Sequence, residues 1–224
     1  MSRTLSFARL DYLTIKPYLT LKSMTLLLIV IAFVSFGTGE ASMLIGMLMM
    51  YGTIYASYPF AVGEKNGIDT LYATLPLKKS NIVAGRYIFA IFLNISTGAV
   101  AFAVSAIIMP VLREGFNWKE TLITVIICLF IFSVLESIQL PIYFKFGYAK
   151  AKFLAYLPLA FFPAAVITIS AVAGKENSLE FLNNVILWAG ENVLLTVIIA
   201  VVLWMLLLLS SGLLSYRFYK DRQF

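Results

Sequence analysis

The chain has 224 residues, of which 61% are hydrophobic and only 12% charged, against roughly 25% charged in a soluble domain. So apolar an exterior has no way to be covered by polar groups in water, which excludes a soluble globular protein and makes lipid the solvent for most of the surface. The formal net charge of +6 would fit nucleic-acid binding if it were clustered, but its distribution along the chain assigns it to membrane topology, and no nucleic-acid partner is expected.

The first predicted element is an interfacial helix over Leu5–Lys16. Leu5, Ala8, Tyr12, Ile15 and Leu19 share one face, Phe7 and Leu10 lie off it, and Pro17 separates it from the first apolar stretch. Six apolar stretches then run over residues 18–36, 41–62, 82–112, 121–144, 153–173 and 192–214. Each is long enough to cross a ~30 Å hydrocarbon core at about 1.5 Å per residue. The expected fold is an all-α membrane protein, a single transmembrane domain of six helices. Lys22 interrupts the first stretch, as a lysine near a helix end does when it snorkels to the interface. Only Gly37, Thr38, Gly39 and Glu40 separate the first two spans, which therefore form a tight antiparallel hairpin.

The loop after the second span reads GEKNGIDTLYATLPLKKSNIVAGR over residues 63–86. Ile68, Leu71, Tyr72 and Leu75 recur at the spacing of one helix face, with Glu64, Lys65, Asp69, Thr70 and Thr74 largely elsewhere around it. Pro76 ends this short amphipathic helix, and Ser80 is placed to cap the third span. Such a helix either lies against lipid or docks onto a cytoplasmic partner. Glu136 is the one acidic residue well inside a span, with Ser133, Ser137 and Gln139 close by. It reads as an interhelical polar contact or as a residue of a substrate path or subunit interface. Asn94 in the third span carries the same two readings. Pro158 and Pro163 are expected to kink the fifth span, and Pro110 the end of the third. Residues 175–191 combine Leu179, Phe181, Leu182, Val185, Ile186, Leu187 and Trp188 with a polar stripe of Glu176, Glu180, Asn184 and Glu191. They form either a re-entrant or surface helix on the outer side or a packed loop.

Charge sets the orientation. Of the 17 lysines and arginines, all but Arg113, Lys119 and Lys175 fall in the N-terminal segment, the loops after spans two and four, and the C-terminal segment. Basic residues are retained on the cytoplasmic side, so both ends are expected there. Several chemistries have no residues to carry them. Histidine is absent and Cys128 is a lone cysteine inside an apolar run, so neither a disulfide framework nor a histidine-based metal or acid–base site is expected. No G-x-x-x-x-G-K-[ST], H-E-x-x-H, C-x-x-C or G-x-S-x-G motif occurs. No catalytic residue and no cofactor is assigned to this chain.

Two stretches resemble a known family. Gly63–Tyr87, with Glu64, Gly67, Asp69, the Leu71-Tyr72 pair, Leu75-Pro76, the following lysines and Arg86-Tyr87, resembles the first cytoplasmic loop of small bacterial ABC-2 type permeases. Gln139–Phe153, QLPIYFKFGYAKAKF, is similar to their second. The resemblance implies the membrane subunit of an ATP-driven exporter in the bacterial cytoplasmic membrane. It implies a second permease, identical or homologous, and two copies of a cytoplasmic ABC ATPase that bind ATP and Mg. Residues 64–75 would then be the coupling helix, with Glu64, Lys65, Gly67, Ile68, Asp69, Leu71, Tyr72, Leu75 and Pro76 facing or shaping the ATPase contact. Residues 5–16 would be the interfacial connecting helix and 175–191 the outer re-entrant element. Amphipathic peptide, drug and lipid are the substrate classes implied, and permeases of exporters of phenol-soluble modulins are similar in pattern. The alternative is a secondary transporter or channel working without an ATPase, which should show a series of ionisable residues along its spans. A membrane enzyme or scaffold is the other, and an enzyme should show clustered polar groups near an interface.

Overall fold

The computed structural model describes residues 3–18, 25, 29, 41–68, 78–112, 116–157 and 192–221, and among these there is no strand. Helix α1 spans Arg3–Ile15 and runs into a 3-10 turn, Lys16–Tyr18. Then come α2 (Ala41–Ala56), α3 (Tyr58–Lys65), α4 (Lys79–Leu112) and α5 (Trp118–Phe146). A further helix, α6, covers 148–157, and α7 covers Val193–Asp221. Helices α4, α5 and α7 are long and apolar enough to cross a membrane. They coincide with the third, fourth and sixth expected spans. Most of the first and fifth expected spans, and the segment 175–191, lie outside the described residues.

The second expected span is divided in two. Pro59 has no N–H to give the carbonyl of Tyr55, so the helical ladder fails there. The chain breaks at Ser57, whose hydroxyl turns back onto the Ile54 carbonyl at 2.7 Å. The third span starts at Lys79, one residue ahead of the expected cap Ser80. At the start of α5, Asn117 accepts from the Glu120 N–H while its own amide donates to the Glu120 carboxylate at 3.3 Å, a reciprocal cap. Pro141 lies inside α5 and leaves the Ser137 carbonyl without its usual donor. The hydroxyl of Ser211, on α7, donates to that carbonyl instead, at 2.5 Å.

Helices α2, α4 and α5 enclose one apolar layer, which includes Leu44, Leu48, Met49, Ala101, Val125, Phe132 and Leu135. A second layer, richer in aromatic rings, contains Ile15, Tyr55, Phe60, Val83, Phe89, Tyr143, Phe144 and Tyr219. In lipid such layers are held by close packing, because hydrocarbon gives the helices no reason to expel apolar side chains. Gly52 shows how tight the packing is: a Cβ there would lie 2.7 Å from the Thr97 side chain. Helix α7 leaves Leu195, Ile198, Leu203, Leu206, Leu209 and Leu213 exposed, a surface that suits a lipid environment.

The side of α1 that faces the bundle only partly overlaps its apolar face. Leu5 and Tyr12 are exposed, while Ile15 and Asp11 are buried and Phe7 and Ala8 pack on the core. Two features of α4 impose this. Gly85 has no side chain, and a Cβ there would sit 2.6 Å from Cβ of Phe7, so Phe7 seats where any other residue would block it. Against the apolar periodicity, Asp11 turns inward because Arg86 is buried opposite it.

Candidate functional site

Several chain segments distant in sequence meet at one end of the bundle. Helix α1 packs on the first turns of α4 through Gly85 and Arg86. Lys79, which opens α4, donates to the carbonyls of Tyr219 and Lys220 at 3.3 and 3.1 Å, placing a cation where the last turn of α7 has orphan acceptors. Around this end Lys65, Lys78, Lys145, Lys150, Lys152 and Arg217 are exposed.

The first and second loops are joined there. Phe60 of α3 lies 5.2 Å from the Tyr143 ring and 5.0 Å from the Phe144 ring at the end of α5. Gly147 then breaks the chain with φ 76°, a conformation that favours glycine. Helix α6 starts immediately after it, and its first two amides, of Tyr148 and Ala149, both donate to Oε2 of Glu64, at 2.6 and 3.0 Å. The Tyr148 ring stacks on Tyr143 with centroids 5.7 Å apart. Burial, with the neighbouring Tyr156 phenol adding to it, raises the Tyr148 phenol above the ordinary tyrosine value, so Tyr148 stays a neutral phenol. The Ser57 hydroxyl at the α2–α3 break meets the Tyr156 hydroxyl at 3.1 Å. Under this junction the Arg86 guanidinium sits 3.9 Å from the Phe60 ring centroid and 5.7 Å from that of Phe144. Its Nε is 3.9 Å from the Asp11 carboxylate. One buried cation thus binds α1, α3, α4 and α5 together.

The residues expected to form a coupling helix are divided by this arrangement. Glu64 and Lys65 belong to the last turn of α3, and Gly67 forms a turn with φ 64°. Ile68 is helical and partly buried against the aromatic layer. Asp69, Leu71, Tyr72, Leu75 and Pro76 lie outside the described residues. Sequence reasoning passed over Asp11, Phe60 and Arg86 as a buried residue, and it took Gly147 only as part of the second loop motif. The available signal for the first was an acid alone in a basic segment.

Deeper in the bundle, Asn94 and Glu136 meet. Each is 3% exposed, and the Asn94 amide donates to Glu136 Oε2 at 2.7 Å. The Thr53 hydroxyl of α2 is fully buried and donates to the Met49 carbonyl at 3.3 Å. Glu136 Oε1 and Asn94 Oδ1 have no hydrogen-bond partner among the described residues. Gln139, expected to belong with this pair, is buried nearly a turn further along α5 with its Nε2 unmatched. A separate ladder holds α7 in place. The Tyr87 hydroxyl meets those of Ser211 and Ser215 at 2.5 and 2.8 Å, and the Trp204 indole donates to Ser133 at 2.7 Å. Between α4, α5 and α7 a cavity of about 240 Å³ is lined by apolar side chains with Asn94, Ser133 and Trp204. Among the described residues these contacts hold the helices in register.

A family model described as ABC-2 family transporter protein matches residues 9–220. No curated protein and no solved structure matches the chain.

Proposed function

The chain belongs to the ABC-2 family of transporter proteins, and from that premise we propose that it is the permease subunit of an ATP-driven exporter in a bacterial cytoplasmic membrane. The observation that carries this reading is the joining of the two loop ends at the basic end of the bundle, by Glu64 on the amides of Tyr148 and Ala149. A chain with no phosphate-binding loop in its sequence must receive its work from a nucleotide-binding partner, and this is the end at which a partner would act. Positive-inside retention supports a cytoplasmic location for it.

In this mechanism two ATPase subunits close on ATP beneath a pair of permeases, identical or homologous. The segment 64–75 moves with them, the bundle changes angle, and a path opens to the outer side between the two permeases. The free energy comes from the difference in nucleotide affinity between the ATPase states. Amphipathic peptides, drugs and lipids are the substrate classes that fit a translocation path bounded by apolar helices. The Asn94–Glu136 contact acts as a helix contact in this scheme. Among the described residues it is a single buried acid inside a span, not the series of ionisable groups an ion-driven transporter needs.

The test is purification of the tagged chain in mild detergent. The expected result is co-purification of a subunit bearing a phosphate-binding loop, with ATP turnover by the complex. Charge reversal at Asp69 together with Leu71→Pro should uncouple that turnover from transport. Absence of any such subunit, or substrate-stimulated turnover in the double variant equal to wild type, would remove the proposal.

A further inference from the structure

Helix α6 begins with an unusual problem. The first amides of any helix have no partner within it, and the residue before the helix normally supplies an oxygen from its own side chain. Here that residue is Gly147. Its φ of 76° favours glycine, and glycine has no side chain to offer. The cap is delegated to Glu64, 84 residues away in sequence from Tyr148. One carboxylate oxygen accepts both N–H groups, at 2.6 and 3.0 Å, and its charge opposes the positive end of the helix dipole. Phe60, one turn earlier on α3, packs on Tyr143 and Phe144 at the end of α5. Helix α3 therefore grips both sides of the Gly147 hinge, by ring contact before it and by hydrogen bonds after it.

From this geometry we infer that Glu64 is an intramolecular clasp, not a docking residue for the ATPase, and that it makes the two cytoplasmic loops move as one body. A push on the chain just beyond Gly67 is carried by Glu64 to the N-terminus of α6. Without the clasp, α6 keeps only the Tyr148–Tyr143 ring stack and the Ser57–Tyr156 hydroxyl contact, and it would follow a displacement of α3 less fully. Both its oxygen geometry and its charge are used inside the chain, so Glu64 is a positioning residue. This inference rests on the reading that an ATPase acts at this end, but its first test does not.

That first test is amide hydrogen exchange on the permease alone in nanodiscs, comparing wild type, Glu64→Ala and Glu64→Gln. Loss of a cap is expected to speed exchange at Tyr148 and Ala149 about tenfold in Glu64→Ala. Glu64→Gln keeps a carbonyl oxygen for the same two donors but loses the charge, so its exchange should fall between wild type and Glu64→Ala. The second test uses the complex with its ATPase, Cys128→Ser throughout, and a fluorophore on Lys152→Cys in α6. ATP with vanadate should shift the fluorophore signal in the Glu64 and Glu64→Gln chains. In Glu64→Ala the shift should fall about fivefold or more, although the ATPase still co-purifies. Unchanged exchange in Glu64→Ala overturns the clasp, as does a full vanadate response in that variant. Loss of ATPase binding with exchange unchanged would show instead that Glu64 faces the partner. If wild type binds no ATPase, the permease reading fails, and the exchange measurement still decides whether the clasp exists.

Discussion

Removing the Asp11 carboxylate should release α1 from the bundle. Asp11 and Arg86 are both nearly solvent-free, with side chains 7% and 6% exposed. In Asp11→Ala the guanidinium stays buried over Phe60 and Phe144 without the Asp11 carboxylate. Truncating one member of a buried pair costs about 3–5 kcal/mol. The cation–π contact, worth about 2 kcal/mol when desolvated, is present in both wild type and variant and cancels in the difference, and the lower end of that range is taken. A net loss of about 3 kcal/mol corresponds to roughly a hundredfold rise in the population with α1 undocked. The assay is hydrogen exchange of the α1 amides in nanodiscs, read alongside the amides of α5 as an internal reference. Protection should fall about a hundredfold in α1 and little in α5. Pairing Asp11→Ala with Arg86→Met removes the buried cation and fills much of the same space, so most of the protection should return. If Asp11→Ala leaves α1 as protected as in wild type, or if the double variant is worse than the single, the buried pair does not hold α1.

Three further outcomes are expected from the packing. Ser211→Ala removes the donor that serves the Ser137 carbonyl, at a cost of about 1–2 kcal/mol. Adding Pro141→Ala restores an N–H within α5, so the melting midpoint in detergent should recover in the double variant. Gly85→Ala drives a methyl group against Cβ of Phe7 and should lower the midpoint by the equivalent of about 1–3 kcal/mol; Phe7→Ala, which keeps that Cβ, should not relieve it. Glu136→Gln retains an acceptor for the Asn94 amide and should stay within about 1 kcal/mol of wild type. Glu136→Ala strands that buried amide and should cost about 1–3 kcal/mol, again read from thermal melting.

Much of this was legible in the residues taken one stretch at a time. Hydropathy is a sum over neighbours, so the apolar runs at 82–112, 121–144 and 192–214 announced α4 and α5 to within a few residues and the start of α7, which runs on past 214 to Asp221. Proline and glycine act locally, and Pro17 does sit in a turn after α1. The loop motifs of residues 63–87 and 139–153 pointed to the ABC-2 family, which the match over residues 9–220 shows. The break at Ser57 was also within reach, because Pro59 lies just beyond it. Periodicity marked the apolar face of α1 but not the side turned to the bundle, because it counts apolar residues and Asp11 is buried for its charge.

What the sequence by itself determined was therefore the solvent, the class of fold and the approximate helices, since each depends on the composition of a single continuous segment. Which groups satisfy one another was decided only when the helices packed. Arg86 finds Asp11, Ser211 finds the carbonyl that Pro141 left open, and Glu64 caps a helix that Gly147 cannot. Each is a pairing across separate helices, and such partners depend on how the helices cross and rotate, not on any interval along the chain.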